Sequence, residues 1–199
     1  QSCPKTCICM QIDDEGFMYP NYDDRICVKC GLCEKVCPVI SKELPHKSLK
    51  SVIAAETKDN EIWQKSSSGG VFLSICEVFK DTNAIVFGVK IEDERVVHGY
   101  ETIDKAYVFC KSKYVQSSIG NSYCEAKKFL DQGRMVIFSG TPCQIAGLNL
   151  FLRNRRYNNL LCIDFICHGV GSPGVFKKHI EELKSKYGCE KIVYNFRNK

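Results

Sequence analysis

The stretch Cys27-Val28-Lys29-Cys30-Gly31-Leu32-Cys33-Glu34-Lys35-Val36-Cys37-Pro38 constrains this chain more than any other. Its spacing is C-x2-C-x2-C-x3-C-P. Two-residue spacers wrap the backbone around three corners of a cubane, and a more distant thiolate must close the fourth. Where such runs hold two clusters, the Cys before the Pro ligates the other cluster. Cys37 is therefore expected at a different cluster from Cys27, Cys30 and Cys33. Their fourth ligand should be an earlier Cys-Pro cysteine, and Cys3-Pro4 supplies that residue type. The second cluster would need Cys37 with three cysteines upstream of Cys3. Cys7 and Cys9 lack ligand spacing and read as packed thiols. Structural zinc prefers two separated C-x2-C pairs and has no use for the third Cys or the Pro. The spacing thus favours a 4Fe-4S cluster, and with it electron transfer, over zinc.

The rest of the composition narrows the class. Of 14 cysteines in 199 residues, seven fall within the first 37, and 44% of the chain is hydrophobic. A disulfide scaffold is normally short, secreted and poor in core; this chain has material for a full core, which points to a reduced, cytoplasmic protein. The apolar runs are too short for a membrane span. The start, Gln1-Ser2-Cys3-Pro4, has no basic stretch followed by an apolar one and no initiator Met. A net charge of +5 is mild, and the one dense basic cluster, Arg153, Arg155 and Arg156, reads as a solvated helix end rather than a nucleic-acid patch.

Residues 1–45 form the expected cysteine-rich domain, and Leu44-Pro45-His46-Lys47-Ser48 the linker. From 46 to 199 the pattern becomes mixed α/β, around a mostly buried sheet. Strands are expected at Ser51–Glu56, Ala84–Ile91, Val96–Tyr100, Arg134–Ser139, Leu160–Cys167 and Lys191–Phe196. Helices are expected at Val71–Phe79, Ser117–Asp131, Thr141–Leu152 and Pro173–Tyr187.

Three stretches of this second part carry chemistry. Ser66-Ser67-Ser68-Gly69-Gly70 precedes a helix, where successive N–H groups cradle an anion and glycine lets a phosphate approach. Phe138-Ser139-Gly140-Thr141-Pro142-Cys143-Gln144 reads as a strand–turn–helix junction with Thr141 as cap and Pro142 at the first helical position. Cys143 then falls in the first turn, where the helix dipole favours a thiolate; a buried structural Cys is the alternative. Ile163-Asp164-Phe165-Ile166-Cys167-His168-Gly169 ends a strand in polar groups at the sheet edge where α/β folds bind ligands. His168 suits a proton carrier or a hydrogen-bond donor, or equally a satisfied core histidine. Lys113-Tyr114 and Ser117-Ser118 add a cation and hydroxyls. Cys76, Cys110, Cys124, Cys162 and Cys189 read as small core hydrophobes, and Trp63 as packing.

Taken together, these residues resemble the coenzyme F-420 hydrogenase/dehydrogenase β-subunit family. The matching stretches are Asp14–Pro20, the run ending Cys37-Pro38, Ser66–Gly70, Ser112–Ser117, Ser139–Gln144 with Gly147-Leu148, and Asp164–Gly169 with Ser172-Pro173. They run in the family's order over essentially the whole chain. The family has a complete first cysteine run, of which only Cys3-Pro4 stands here, and it continues past Lys199; the chain resembles a piece cut at both ends. The resemblance implies an oxidoreductase that binds FAD and passes electrons between 4Fe-4S clusters and a hydride acceptor, the deazaflavin F-420 or another small molecule, with a redox partner protein. On this reading Cys3, Cys27, Cys30, Cys33 and Cys37 hold clusters. Ser67, Ser68, Gly69, Gly70, Lys113, Ser117, Gly140, Thr141, Pro142 and Gln144 hold FAD, and Cys143 and His168 lie near its ring. The alternatives are an electron carrier without catalysis, a zinc-binding interaction protein and, less well supported, thiol–disulfide chemistry at Cys143.

Overall fold

The computed structural model describes residues 2–41 and 49–197. The expected linker, 44–48, lies outside the described residues.

The N-terminal region is small and open. Strands β1 (Ile8–Ile12) and β2 (Met18–Tyr22) pair antiparallel, Ile8 opposite Tyr22 and Ile12 opposite Met18. The Asp13–Phe17 turn joins them. Asp13 closes it: its carboxylate accepts from the N–H of Glu15 and Phe17, and its carbonyl from Gly16. Gly16 sits at φ +89°, a conformation only glycine adopts without strain. The cysteine run follows, with a four-residue helix α1 (Leu32–Lys35) in its middle.

The rest is a mixed α/β fold. Helix α2 (Asn60–Lys65) is capped by the Asp59 carboxylate, and α3 (Val71–Glu77) starts from Gly70 at φ +77°. Strands β3 (Ile85–Glu92) and β4 (Arg95–Thr102) form a hairpin whose turn residues, Asp93 and Glu94, both have positive φ. Such a turn matches the right-handed strand twist. A 3-10 helix (Ile103–Phe109), α4 (Ser122–Asp131), β5 (Val136–Gly140), α5 (Pro142–Phe151), β6 (Leu160–Asp164) and α6 (Pro173–Tyr187) complete the order. The sheet runs β4-β3-β5-β6, with β3, β5 and β6 parallel.

Strand alternation makes two cores. Ile85, Phe87, Val136 and Phe138 meet α4 and α5 through Ala126, Leu130, Ile145 and Leu148. Val86 and Ile137 point the other way, onto Leu73 and Cys76 of α3 and Ala106 and Phe109 of the 3-10 helix. Phe87 and Phe138 stack at 5.2 Å between ring centroids.

Several expectations change. Ser51–Glu56 is not a strand: it pairs with no strand among the described residues, and Val52 and Ile53 are about four-fifths exposed. Its apolar residues gave a strand pattern, but no sheet edge meets it. Lys191–Phe196 is irregular too; Tyr194 and Phe196 pack on Phe176 of α6 instead of joining a sheet. Helix α4 begins at Ser122, not Ser117, because the Ser118 backbone is drawn into bonds with Val96 and His98 of β4. Strand β6 stops at Asp164, leaving Phe165–His168 exposed. Trp63 and Cys124 are exposed; only Cys76 of the five supposed core thiols is fully buried.

Candidate functional site

Parallel strands deliver their following loops to one edge. Gly140 and Asp164 are register partners at the carboxyl ends of β5 and β6, so Thr141–Gln144 and 165–171 emerge together. The fold brings two further segments to the same place, and hydrogen bonds join all four.

Gln144 is the hub. Its Oε1 accepts from the Thr141 N–H at 3.0 Å, and its Nε2 donates to Ser117 Oγ at 2.8 Å. Its own carbonyl accepts from the Tyr123 hydroxyl at 2.8 Å, a phenol held above its usual range by burial. A Cβ on Gly140 would lie 2.9 Å from Gln144 Oε1, so this arrangement requires glycine. Tyr114–Gln116 pairs with the loop after β6: the Gly171 N–H donates to Tyr114 O at 2.9 Å, and the Gln116 N–H to Gly171 O at 3.1 Å. Ser67 Oγ accepts from the Ser112 N–H at 2.9 Å, which ties in the Ser66–Gly70 turn. Gly69 is packed so closely that a Cβ would fall 2.9 Å from Ala55 O. Ser68 and Pro142 stand exposed.

Lys113 is half-buried, and its ammonium donates to the carbonyls of Cys110 (2.6 Å), Phe109 (3.0 Å) and Val108 (3.4 Å). Three acceptors match its three N–H groups. It closes the C-terminal end of the 3-10 helix and so shapes the segment leading to Ser117. Burial pushes its pKa down to about 8, opposed by the neighbouring Cys110. Lys113 also lines an open cavity of about 760 Å³ with Lys65, Lys111, Tyr107 and Phe196.

Cys143 is exposed on the first turn of α5, its Sγ 3.0 Å from Thr141 Oγ1. His168 is exposed in the 165–171 loop. A second histidine, not singled out by its sequence, lies deeper. His98 of β4 is 6% exposed and stacks on Phe138 at 4.8 Å between centroids. Neither ring nitrogen completes a hydrogen bond among the described residues. Burial pushes its pKa down to about 4, against the opposing pull of the Ser139 backbone, so the ring is neutral. Its edge faces Gly140, where a Cβ would lie 3.5 Å from Cε1. The available signal was period two: Val96 and His98 both occupy inward positions of β4.

In the N-terminal region Cys3 and Cys7 lie 3.3 Å apart, sulfur to sulfur. The Cys7 backbone N–H, and then its thiol, hold the Cys3 thiol below its usual range. The Cys7 thiol is pushed up, first by its bond to Cys3, then by burial and by its bond to Cys27. Cys7 thus links Cys3 to Cys27, two residues expected at one cluster. Cys30 and Cys33 are exposed and Cys37 half-buried. The donor set is all thiol, which suits an iron–sulfur cluster. Among the described residues no three Cys, His, Asp or Glu side chains converge on a single metal ion. Nor is any helix there long and apolar enough to cross a membrane.

Residues 133–195, roughly a third of the chain, match the family described as the C terminus of the coenzyme F420 hydrogenase/dehydrogenase beta subunit. The match takes in β5, α5, β6, the loop after it and α6. This part of the chain is therefore similar to a subunit of oxidoreductase complexes. No curated protein matches the chain.

Proposed function

We propose that this chain is an iron–sulfur flavoprotein oxidoreductase that passes electrons between 4Fe-4S clusters in its N-terminal region and a hydride acceptor through FAD. One observation carries the reading. Four segments far apart in sequence, 66–70, 112–117, 140–144 and 165–171, are hydrogen-bonded together at the carboxyl ends of the parallel strands of a mixed sheet. Such an edge is where α/β folds bind nucleotide-like ligands. The similarity of residues 133–195 to an F420 hydrogenase/dehydrogenase subunit supports the reaction class.

The residues present fit a flavin. At Gly69 and Gly140 the room a Cβ would take is already filled by the chain itself, by Ala55 O and by the Gln144 side chain, so glycine there fixes the two turns against their neighbours. The Ser67–Gly70 turn, Ser117 and Gly140–Gln144 would hold the group; Lys113 fixes the backbone between them. Cys143 and His168, exposed at that edge, are free to touch a ring or an incoming acceptor. FAD, when bound, takes electrons singly or in pairs and so converts between cluster and hydride chemistry. Cys3, Cys27, Cys30 and Cys33 would hold one cluster, and Cys37 would belong to a second. The partners on this reading are a redox protein and a small hydride acceptor, F-420 or another.

Anaerobic purification with an absorbance spectrum and counts of iron, zinc and flavin tests this directly. Iron and flavin together are expected. Iron without flavin would leave an electron carrier, and zinc alone would overturn the redox reading. Gly69→Val should reduce flavin content with iron unchanged, because the added side chain meets Ala55 O and Glu56. Normal flavin in that variant would remove the 66–70 turn from the site.

A further inference from the structure

Among the described residues, the turn of the N-terminal region presses on the start of α6. The first amides of a helix lack intrahelical acceptors. In α6, Ser172 Oγ accepts from the Val175 N–H at 3.0 Å, the ordinary N-cap bond. The Gly174 N–H finds its acceptor elsewhere: it donates to Glu15 O, in the turn of the cysteine-rich region, at 3.0 Å. The Ser172 hydroxyl donates to that same Glu15 carbonyl. One carbonyl of the N-terminal region therefore completes the cap of a helix more than 150 positions away.

The approach leaves no room for side chains. A Cβ on Gly16 would lie 2.6 Å from Gly174 Cα, and a Cβ on Gly174 would lie 2.8 Å from the Glu15 carbonyl carbon. The Glu15 side of the contact is held by the Asp13 bonds that close its turn.

Three residues earlier, the same segment makes the second contact. Gly171 pairs by two backbone bonds with Tyr114 and Gln116, and a Cβ on it would lie 2.8 Å from Tyr114 O. Next in line, Ser117 accepts from Gln144, which binds the Thr141 N–H. Residues 171 to 174 can span at most about 10 Å. A glycine stands at each end of this short piece, each with a carbonyl pressed against it.

The geometry points to Gly171-Ser172-Pro173-Gly174 as a positioning strut that fixes the cysteine-rich region at a set distance from the edge of the sheet. It rests, for its functional consequence, on the proposed exchange of electrons between these two parts. Ser172 and the two glycines are positioning residues: they hold the turn of one region and the 114–117 segment of the other in register. Transfer between fixed centres depends on their separation, and small misplacements far from the chemistry carry large rate penalties.

The test uses the purified, cofactor-loaded chain and three variants. Gly174→Ala crowds the contact with Glu15. Ser172→Asp keeps an acceptor for the Val175 N–H but cannot donate to Glu15, so it separates the latch from the helix cap. Ser172→Thr keeps both bonds. Hydrogen exchange should quicken at the position-174 amide and through 13–17 in Gly174→Ala and Ser172→Asp, and stay slow in Ser172→Thr. In the same two variants electron transfer from the N-terminal region to bound flavin should fall roughly tenfold or more, with iron and flavin content unchanged. Unaltered exchange in both would overturn the contact. Faster exchange with an unaltered transfer rate would overturn its positioning role. If the protein holds no flavin, the counts alone show that the reading of the site has failed, while the exchange experiment still decides the strut.

Discussion

The cysteine-rich region and the four-stranded sheet hold their shapes by different means. In the sheet, Val86, Phe87, Val136, Ile137 and Phe138 are wholly buried, and two layers of helix cover its faces. In residues 2–41, Cys7 is the only buried residue among those described; Met10, Ile12, Tyr19, Tyr22, Ile26 and Val28 are exposed. A two-stranded hairpin of this size is marginal in water by itself. What the region has in place of a core is thiols, an Asp13-closed turn and a seat on α6. In small metal-bearing regions the binding free energy of the metal is folding free energy. The sheet is thus stabilised by apolar burial, while residues 2–41 rest on the Asp13-closed turn and on docking against α6, and on ligation where the proposed clusters bind.

That contrast can be broken in order of size. The largest effect is expected from Cys30→Ser. Removing one thiolate should abolish one cluster and leave residues 2–41 exchanging freely, while the sheet stays protected; iron content with region-resolved hydrogen exchange reads both. Unchanged iron would remove Cys30 from the ligand set. Phe138→Ala should do the reverse. It empties a core position shared with Phe87, His98 and Tyr123, costing about 3–5 kcal/mol. Its melting temperature should drop with cluster binding retained in the folded fraction.

A smaller, pH-dependent effect belongs to His98. Its folded pKa, near 4, lies below the ordinary value of 6.5. The folded state therefore binds fewer protons between these values, and protonation favours unfolding. Its contribution is fully present above pH 6.5 and is lost as pH falls toward 4, an effect on the order of 3 kcal/mol. His98→Phe keeps a ring on Phe138 and removes the unpartnered nitrogens. Denaturant titrations across this range should show a flatter acid limb in that variant. An identical limb would mean that the imidazole does not titrate as its burial requires.

The sequence carried much of this. The C-x2-C-x2-C-x3-C-P run marks the cysteine-rich region without reference to tertiary structure, because ligand spacing is a local property. Helix α6 occupies the expected Pro173–Tyr187, since Ser172, Pro173 and Gly188 are start and stop signals. Thr141 and Pro142 open α5 for the same reason. The strands that form the sheet were legible as apolar runs, and the segments that meet at its edge are legible as polar turns.

What local pattern did not decide was partnership. Val52 and Ile53 look like strand residues, but a strand exists only where another offers its hydrogen bonds, and none meets them. His98 is one polar residue in an alternating strand; only burial beneath Gly140 makes it unpartnered. Gln144 is expected from the sequence at the cofactor site; that it joins Ser117, Thr141 and Tyr123 is visible only in the fold. Gly16 and Gly174 are unremarkable apart, and they become necessary because the chain presses one against the other. Ligand spacing, caps and strand alternation are set by neighbours a few residues apart, so the sequence determines them. Contacts between residues about 20 to 160 positions apart depend on how strands order themselves and where the cysteine-rich region docks, and those only the tertiary structure decides.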